Sequence, residues 1–190
     1  TIMNVYYDTP DYRLIQRSLE KPAYKEKLRV RSYGTADMDD KVFVELKKKY
    51  DGIVYKRRTS ITQLEATEYL NKNKALLKTD QITEEIDYFK SFYQKLIPAM
   101  VISYEREAYY DMEGSDLRIT LDENILWRET DLDLRHDPYG QTLLTDDQTL
   151  VEIKIRMAMP IWLARALSEA GIYQTSFSKY GNAYRSKLLA

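Results

Sequence analysis

Apolar and polar residues alternate over several stretches of this chain, and the alternation predicts strands with one apolar and one charged face. In Lys27-Leu28-Arg29-Val30-Arg31 the three cations share a face. The pattern returns in Val42-Phe43-Val44-Glu45-Leu46-Lys47-Lys48-Lys49, where Val42, Val44 and Leu46 oppose Phe43, Glu45, Lys47 and Lys49. It returns again over 53–61, where Lys56 and Arg58 align, and Asp51-Gly52 between the two segments is a hairpin signal. Further strands are expected over 5–12, closed by a turn at Asp8-Thr9-Pro10, and over 99–110. In 117–122, Leu117, Ile119 and Leu121 oppose Arg118, Thr120 and Asp122; in 150–156, Val151, Ile153 and Ile155 oppose Glu152, Lys154 and Arg156. Helical spacing replaces alternation over 63–78 and over 83–96, the second opened by Thr83 ahead of Glu84-Glu85. Pro160 opens a third helix, 161–170, that Gly171 ends. Residues 13–20 fit neither period, 123–149 read as a long polar hairpin or loop turning at Asp137-Pro138-Tyr139-Gly140, and the tail at 177–181 is short and polar-aromatic.

Composition narrows the use of these elements. A chain of 190 residues, 44% hydrophobic and 31% charged, suits one domain spanning 1–190. With 29 basic against 30 acidic residues the net charge is -1, which argues against a nucleic-acid-coating protein, so any anion site is local. The absence of cysteine excludes disulfides, thiolate catalysis and cysteine zinc sites. The single histidine, His136, sits in a polar run and reads as a surface loop residue. No apolar run approaches the ~20 residues that span a bilayer and no signal peptide is present, which points to a soluble, cytoplasmic domain with no membrane segment. The chain enters Ile2-Met3-Asn4-Val5 almost at once, as it would if a preceding element were missing.

Two architectures accommodate strands of this kind. An ordinary sheet turns its charges to water and packs its apolar face on helices. A barrel with a polar lumen collects the charges inside and buries its apolar exterior under helices. Arginine and lysine dominate one parity strand after strand, which favours the barrel. Enclosed cations need an enclosed anion. Arginine forks match phosphate oxygens and lysines supply mobile point charges, so a mixture suits a run of several phosphates. Glu45 and Glu152, inside these basic strands, either neutralise neighbours or hold a bridging divalent metal.

The order and spacing of several short motifs carry a resemblance. These are Tyr7-Asp8-Thr9-Pro10-Asp11, the Lys27–Arg31 strand, Val44-Glu45-Leu46-Lys47, Val54-Tyr55-Lys56-Arg57-Arg58, Tyr104-Glu105-Arg106-Glu107-Ala108-Tyr109, Leu117-Arg118-Ile119-Thr120-Leu121-Asp122, Val151-Glu152-Ile153-Lys154 and Phe177-Ser178-Lys179-Tyr180. Over nearly its whole length the chain resembles the VTC domain, the polyphosphate polymerase branch of the triphosphate tunnel metalloenzymes, which also include the CYTH proteins. The resemblance implies an α+β fold, an antiparallel eight-stranded β-barrel tunnel with a basic lumen and flanking helices. It implies ATP, triphosphate or polyphosphate as ligand, with Mn²⁺ or Mg²⁺. By motif position, Arg29, Arg31, Lys47, Lys56, Arg58, Arg106 and Arg118 are its catalytic, phosphate-binding residues. Lys154, Ser178 and Lys179 add phosphate contacts, Lys179 closing one end of the tunnel, and Glu152, with Glu45, is the metal ligand. The implied activity is metal-dependent transfer of the γ-phosphoryl of ATP to polyphosphate; a tripolyphosphatase and a non-catalytic polyphosphate-binding module are the alternatives. The family's first strand, with a lysine-bearing element before it, has no counterpart here, so the chain reads as N-terminally truncated. Ser176 stands where members often carry a lysine.

Overall fold

The two-faced strands pair into one antiparallel sheet in which each hairpin sets the next register. The computed structural model describes residues 1–77, 79–112 and 114–189. Its strands are β1 (Ile2–Asp8), β2 (Tyr24–Tyr33), β3 (Lys41–Tyr50), β4 (Ile53–Thr62), β5 (Ile97–Tyr110), β6 (Arg118–Arg128), β7 (Gln141–Thr142) and β8 (Leu150–Lys154). The helices are α1 (Arg13–Leu19), α2 (Gln63–Asn71), α3 (Gln81–Tyr93), α4 (Ile161–Glu169) and α5 (Lys179–Leu189). The ladder runs β4-β3-β2-β1-β5-β6, with β7 and β8 both pairing along β6. The eight antiparallel strands that the resemblance implies are therefore present, as an open sheet and not as a closed barrel. Among the described residues no ladder joins β4 to β8, so the wall curls round its charged face but has a seam.

The outer face is apolar, as the alternation predicts. Val5, Leu28, Val30, Val42, Val44 and Leu46 pack beneath Tyr69 and Leu70 of α2 and Ile86 and Phe89 of α3. The inner face is of two kinds. Charged residues fill one part, and Tyr6, Met100, Ile102, Ile125 and Trp127 form a second core, into which α5 inserts Tyr180, Ala183 and Tyr184. The lumen is thus a charged groove closed at one side by an aromatic plug.

Local chemistry explains the element ends. Asp51 and Gly52 take φ of 44° and 83°, the left-handed pair a tight β3–β4 turn requires. Thr62 and Glu65 form a capping box that starts α2 directly at the end of β4. The predicted helix 63–78 stops at Asn71, followed by a left-handed Asn73; Lys78 lies outside the described residues. The helix predicted from Thr83 begins at Gln81. Asp80 is the cap, and Thr83 is its reciprocal partner three residues on. The turn placed at 113–115 has its first residue, Glu113, outside the described residues.

Three expectations are corrected. Residues 13–20 contain a short helix, α1, whose free N–H groups at Leu14 and Ile15 are taken by the Asp8 carboxylate at 2.8 and 3.1 Å. The polar excursion begins later than expected, because β6 runs to Arg128 through a bulge at Asn124, where φ is 47°. The extra residue keeps Ile125 and Trp127 on the same inner face as Asp122, which breaks the alternation visible in sequence. The tail is not a short loop: 179–189 form α5.

Candidate functional site

Register builds one wall of the groove. Across β2, β3 and β4, Lys27, Lys47 and Lys56 lie in one row and Arg29, Glu45 and Arg58 in the next, with Tyr6 of β1 opposite Arg29. Glu45 is only 1% exposed and is met by Arg29 at 2.6 Å, Lys56 at 2.9 Å and Arg31 at 3.9 Å. Burial alone raises a carboxyl, but these three cations outweigh it and hold Glu45 down to about 2. Arg31 also donates to Asn4 Oδ1 at 3.0 Å and to the Tyr104 hydroxyl at 3.4 Å, and Arg29 donates to the Tyr6 hydroxyl at 3.0 Å.

The facing wall has a second cluster of the same design. Arg106 forks onto the fully buried Asp122 at 2.5 and 2.6 Å, and Lys179, from the start of α5, pairs with the same carboxylate. Burial pushes Asp122 up, and its two cations hold it below its ordinary value. Glu152 and Lys154 come from β8, with Glu152 3.2 Å from the Lys154 amine and 3.6 Å from Arg106. Lys47 connects the walls. Burial and Arg29 lower its amine, while Glu152 opposite raises it.

Between the walls lies Tyr6, stacked on Tyr180 with centroids 4.6 Å apart, and Tyr180 donates to Asp8 at 2.9 Å. Burial acts to raise the Tyr6 phenol, but Arg29 and Lys27 prevail and bring it down to about 8. Lys27 donates to Ser178 Oγ at 2.8 Å, and burial, opposed by Tyr6 but reinforced by Lys47 and Lys25, brings its amine down to about 8. Each wall therefore holds one buried carboxylate and more cations than it can neutralise. Such a groove attracts a molecule with several adjacent negative charges.

The sequence-derived residues fall into clear positions. Arg29, Arg31, Glu45 and Lys56 form one cluster, Arg106, Glu152, Lys154 and Lys179 the other, with Lys47 between them and Ser178 beside Lys27. Arg58 and Arg118 sit apart from the ion pairs: Arg58 lies over the Phe43 ring at 4.3 Å and Arg118 over Tyr110 at 5.0 Å. Arg118 Nε is buried with no hydrogen-bond acceptor, a donor available to a bound anion. Lys27, Tyr6, Tyr104 and Asp122 belong to the site but were not assigned to it from sequence. Lys27 and Asp122 share parity with assigned residues, and that signal was sufficient; Tyr6 and Tyr104 are recognisable only through the register.

The expected metal is tested by the available carboxylates. Among the described residues no three acidic or histidine side chains gather into a metal cage. Glu45 is engaged by three cations, the neutralising role, and Asp122 by two. Glu152 is different: its side chain is 44% exposed and its two partners stand at 3.2 and 3.6 Å. Of these three carboxylates, Glu152 is the one that would take up a divalent cation.

Comparison with known proteins identifies the family and the fold. The model of the VTC domain family matches residues 1–188. Among solved structures, a Bacillus halodurans protein assigned as an adenylate cyclase aligns with a TM-score of 0.55 at 15% identity, over 93% of this chain and 78% of that chain. That likeness shows the fold. No curated protein matches the chain.

Proposed function

The chain belongs to the VTC domain family, and from that premise we propose that it is a polyphosphate polymerase: it binds ATP and polyphosphate in the charged groove and transfers the γ-phosphoryl of ATP to the end of the chain. The observation that carries the proposal is the pair of facing clusters, each with cations in excess of its buried carboxylate. Phosphoryl transfer asks little covalent chemistry of a protein; positioning and charge stabilisation supply the acceleration. The reacting bonds are few. A terminal phosphate oxygen of the polyphosphate attacks the γ-phosphorus, the bridge to the β-phosphate breaks, and ADP leaves carrying that electron pair.

The chain's own residues divide this work. Arg29, Arg31 and Lys56, fixed by Glu45, form a rigid floor for phosphate oxygens. Arg106 and Lys179, fixed by Asp122, form the opposite one. Lys47, Lys154, Arg58 and Arg118 have donors to spare and close on the ligand. A divalent ion at Glu152 would offset charge on the transferred group when bound. The VTC family implies such an ion, and Mn²⁺ and Mg²⁺ both suit one carboxylate plus phosphate oxygens.

Incubation with ATP and Mn²⁺ should yield acid-precipitable polyphosphate and ADP in step. Orthophosphate as sole product would make the protein a triphosphatase instead, and binding without turnover would make it a binding module. Arg118→Gln leaves both carboxylates paired, so it should weaken tripolyphosphate binding by about 1.5–3 kcal/mol without unfolding the protein. Unchanged affinity, measured by calorimetry, would remove the groove as the binding site.

A further inference from the structure

Helix α4 is covered on one side only. Leu163 is its single buried residue, and at helical spacing Ile161, Trp162, Arg165 and Glu169 fall together on the opposite side. Ile161 is 71% and Trp162 61% exposed, against 3% for Trp127, the chain's other tryptophan. A Schellman turn ends the helix. Gly171 takes φ of 65°, and the N–H groups of Gly171 and Ile172 donate to the carbonyls of Ser168 and Leu167 at 3.1 and 2.8 Å. The turn pins Ile172 and Tyr173, both exposed, at one end of α4, and the exposed Met157 and Met159 lead in at the other. Single exposed apolar side chains are ordinary, but a run of this size marks an interaction surface.

The charges on this segment say what covers it. From 157 to 173 the charged residues are Arg165 and Glu169. With no net charge, the segment offers an anion nothing to hold and lacks the basic face of a helix that lies on a membrane. Glu169 stands in the last turn of α4, where the helix dipole disfavours an acid. Among the described residues neither Arg165 nor Glu169 is ion-paired.

A second copy of the chain completes both features. Laid antiparallel about a two-fold axis at the level of residue 167, two α4 helices set Arg165 of each copy against Glu169 of the other. The same axis sets Trp162 against Ile172 and Ile161 against Tyr173, since each pair is symmetric in sequence about 167. Self-complementarity of this kind is what an isologous contact requires. A standard interface takes roughly 800 Å² from each partner, and six large apolar side chains, the aromatic ones able to bury about 150–250 Å² each, provide an area of that order. We propose that α4 and its flanking residues form a homodimer interface, with Trp162 at its apolar centre and reciprocal Arg165–Glu169 pairs across the two-fold axis. The groove residues take no part in it.

Sedimentation equilibrium of the full chain between about 1 and 100 μM tests the proposal. The mass should rise from 22.5 kDa toward twice that value. Trp162→Glu should weaken the dimer at least tenfold while leaving the melting temperature and tripolyphosphate affinity as in the parent. Arg165→Glu and Glu169→Arg each set like charges against one another and should each be monomeric. A mixture of the two single variants, and the double variant R165E/E169R, should both recover the dimer, a rescue that a merely structural effect on α4 would not produce. A parent that stays monomeric throughout, a dimer indifferent to Trp162→Glu, or single variants that are not rescued by mixing would overturn the interface. Binding of a monomeric parent to phosphatidylcholine–phosphatidylserine vesicles would overturn it in favour of a membrane surface.

Discussion

Glu45 shows how a single side chain organises this molecule. It is a carboxylate with almost no access to water, and it persists because three cations from two strands converge on it. Removing its charge leaves buried guanidinium groups uncompensated, so Glu45→Gln should cost about 3 kcal/mol of stability. The pH dependence has a definite sign. The carboxyl is lowered from its ordinary 4.5 to about 2 in the fold, so its contribution is complete above pH 4.5 and is lost as pH falls toward 2. Acid titration of the melting temperature should show that loss in the parent and a flatter curve in the variant. Lys27 and Tyr6 act in a different window. Both titrate near 8, the amine losing its positive charge and the phenol gaining a negative one as pH rises. Tripolyphosphate affinity should therefore weaken between pH 7 and 9, and Lys27→Gln should remove much of that slope.

Among the elements, α5 connects the core to the groove. Tyr180 is 2% exposed, its ring rests on Tyr6 and its hydroxyl reaches the Asp8 carboxylate that also caps α1. Tyr180→Ala should cost about 3 kcal/mol in denaturant unfolding, and Tyr180→Phe, which keeps the ring, about 1 kcal/mol. The strands with regular alternation were legible in sequence because burial on one face leaves that pattern. α5 was not: Gly181 and a run of polar residues hide its spacing, and a Cβ at that glycine would lie in tight contact, 3.0 Å from Leu19 Cδ2 and 3.1 Å from Ser178 Oγ. α1 spans only seven residues, too few to show a period. β6 was cut short for a third reason. One left-handed residue, Asn124, shifts the parity of Ile125 and Trp127, and a reading by twos stops there. The charged parities placed Arg29, Arg31, Lys47 and Lys56 on one face correctly. The aromatic half of the lumen was illegible, because it depends on which strands become neighbours across the curl.

At the scale of the whole molecule, rigidity and charge are divided between the two faces of one sheet. The outer face, under α2 and α3, is a dry core that fixes the registers. The inner face presents ammonium and guanidinium groups at those fixed positions. No helix among the described residues is long and apolar enough to cross a membrane. The excess of lysine and arginine over carboxylates on that inner face carries a practical consequence for anyone handling the protein. Sulfate or orthophosphate from a storage buffer will condense onto those ammonium groups, and a substrate must first displace them. Apparent affinity will then depend on the buffer anion as much as on the ionic strength, and chloride or acetate solutions will report a tighter grip than phosphate-buffered ones at equal conductivity.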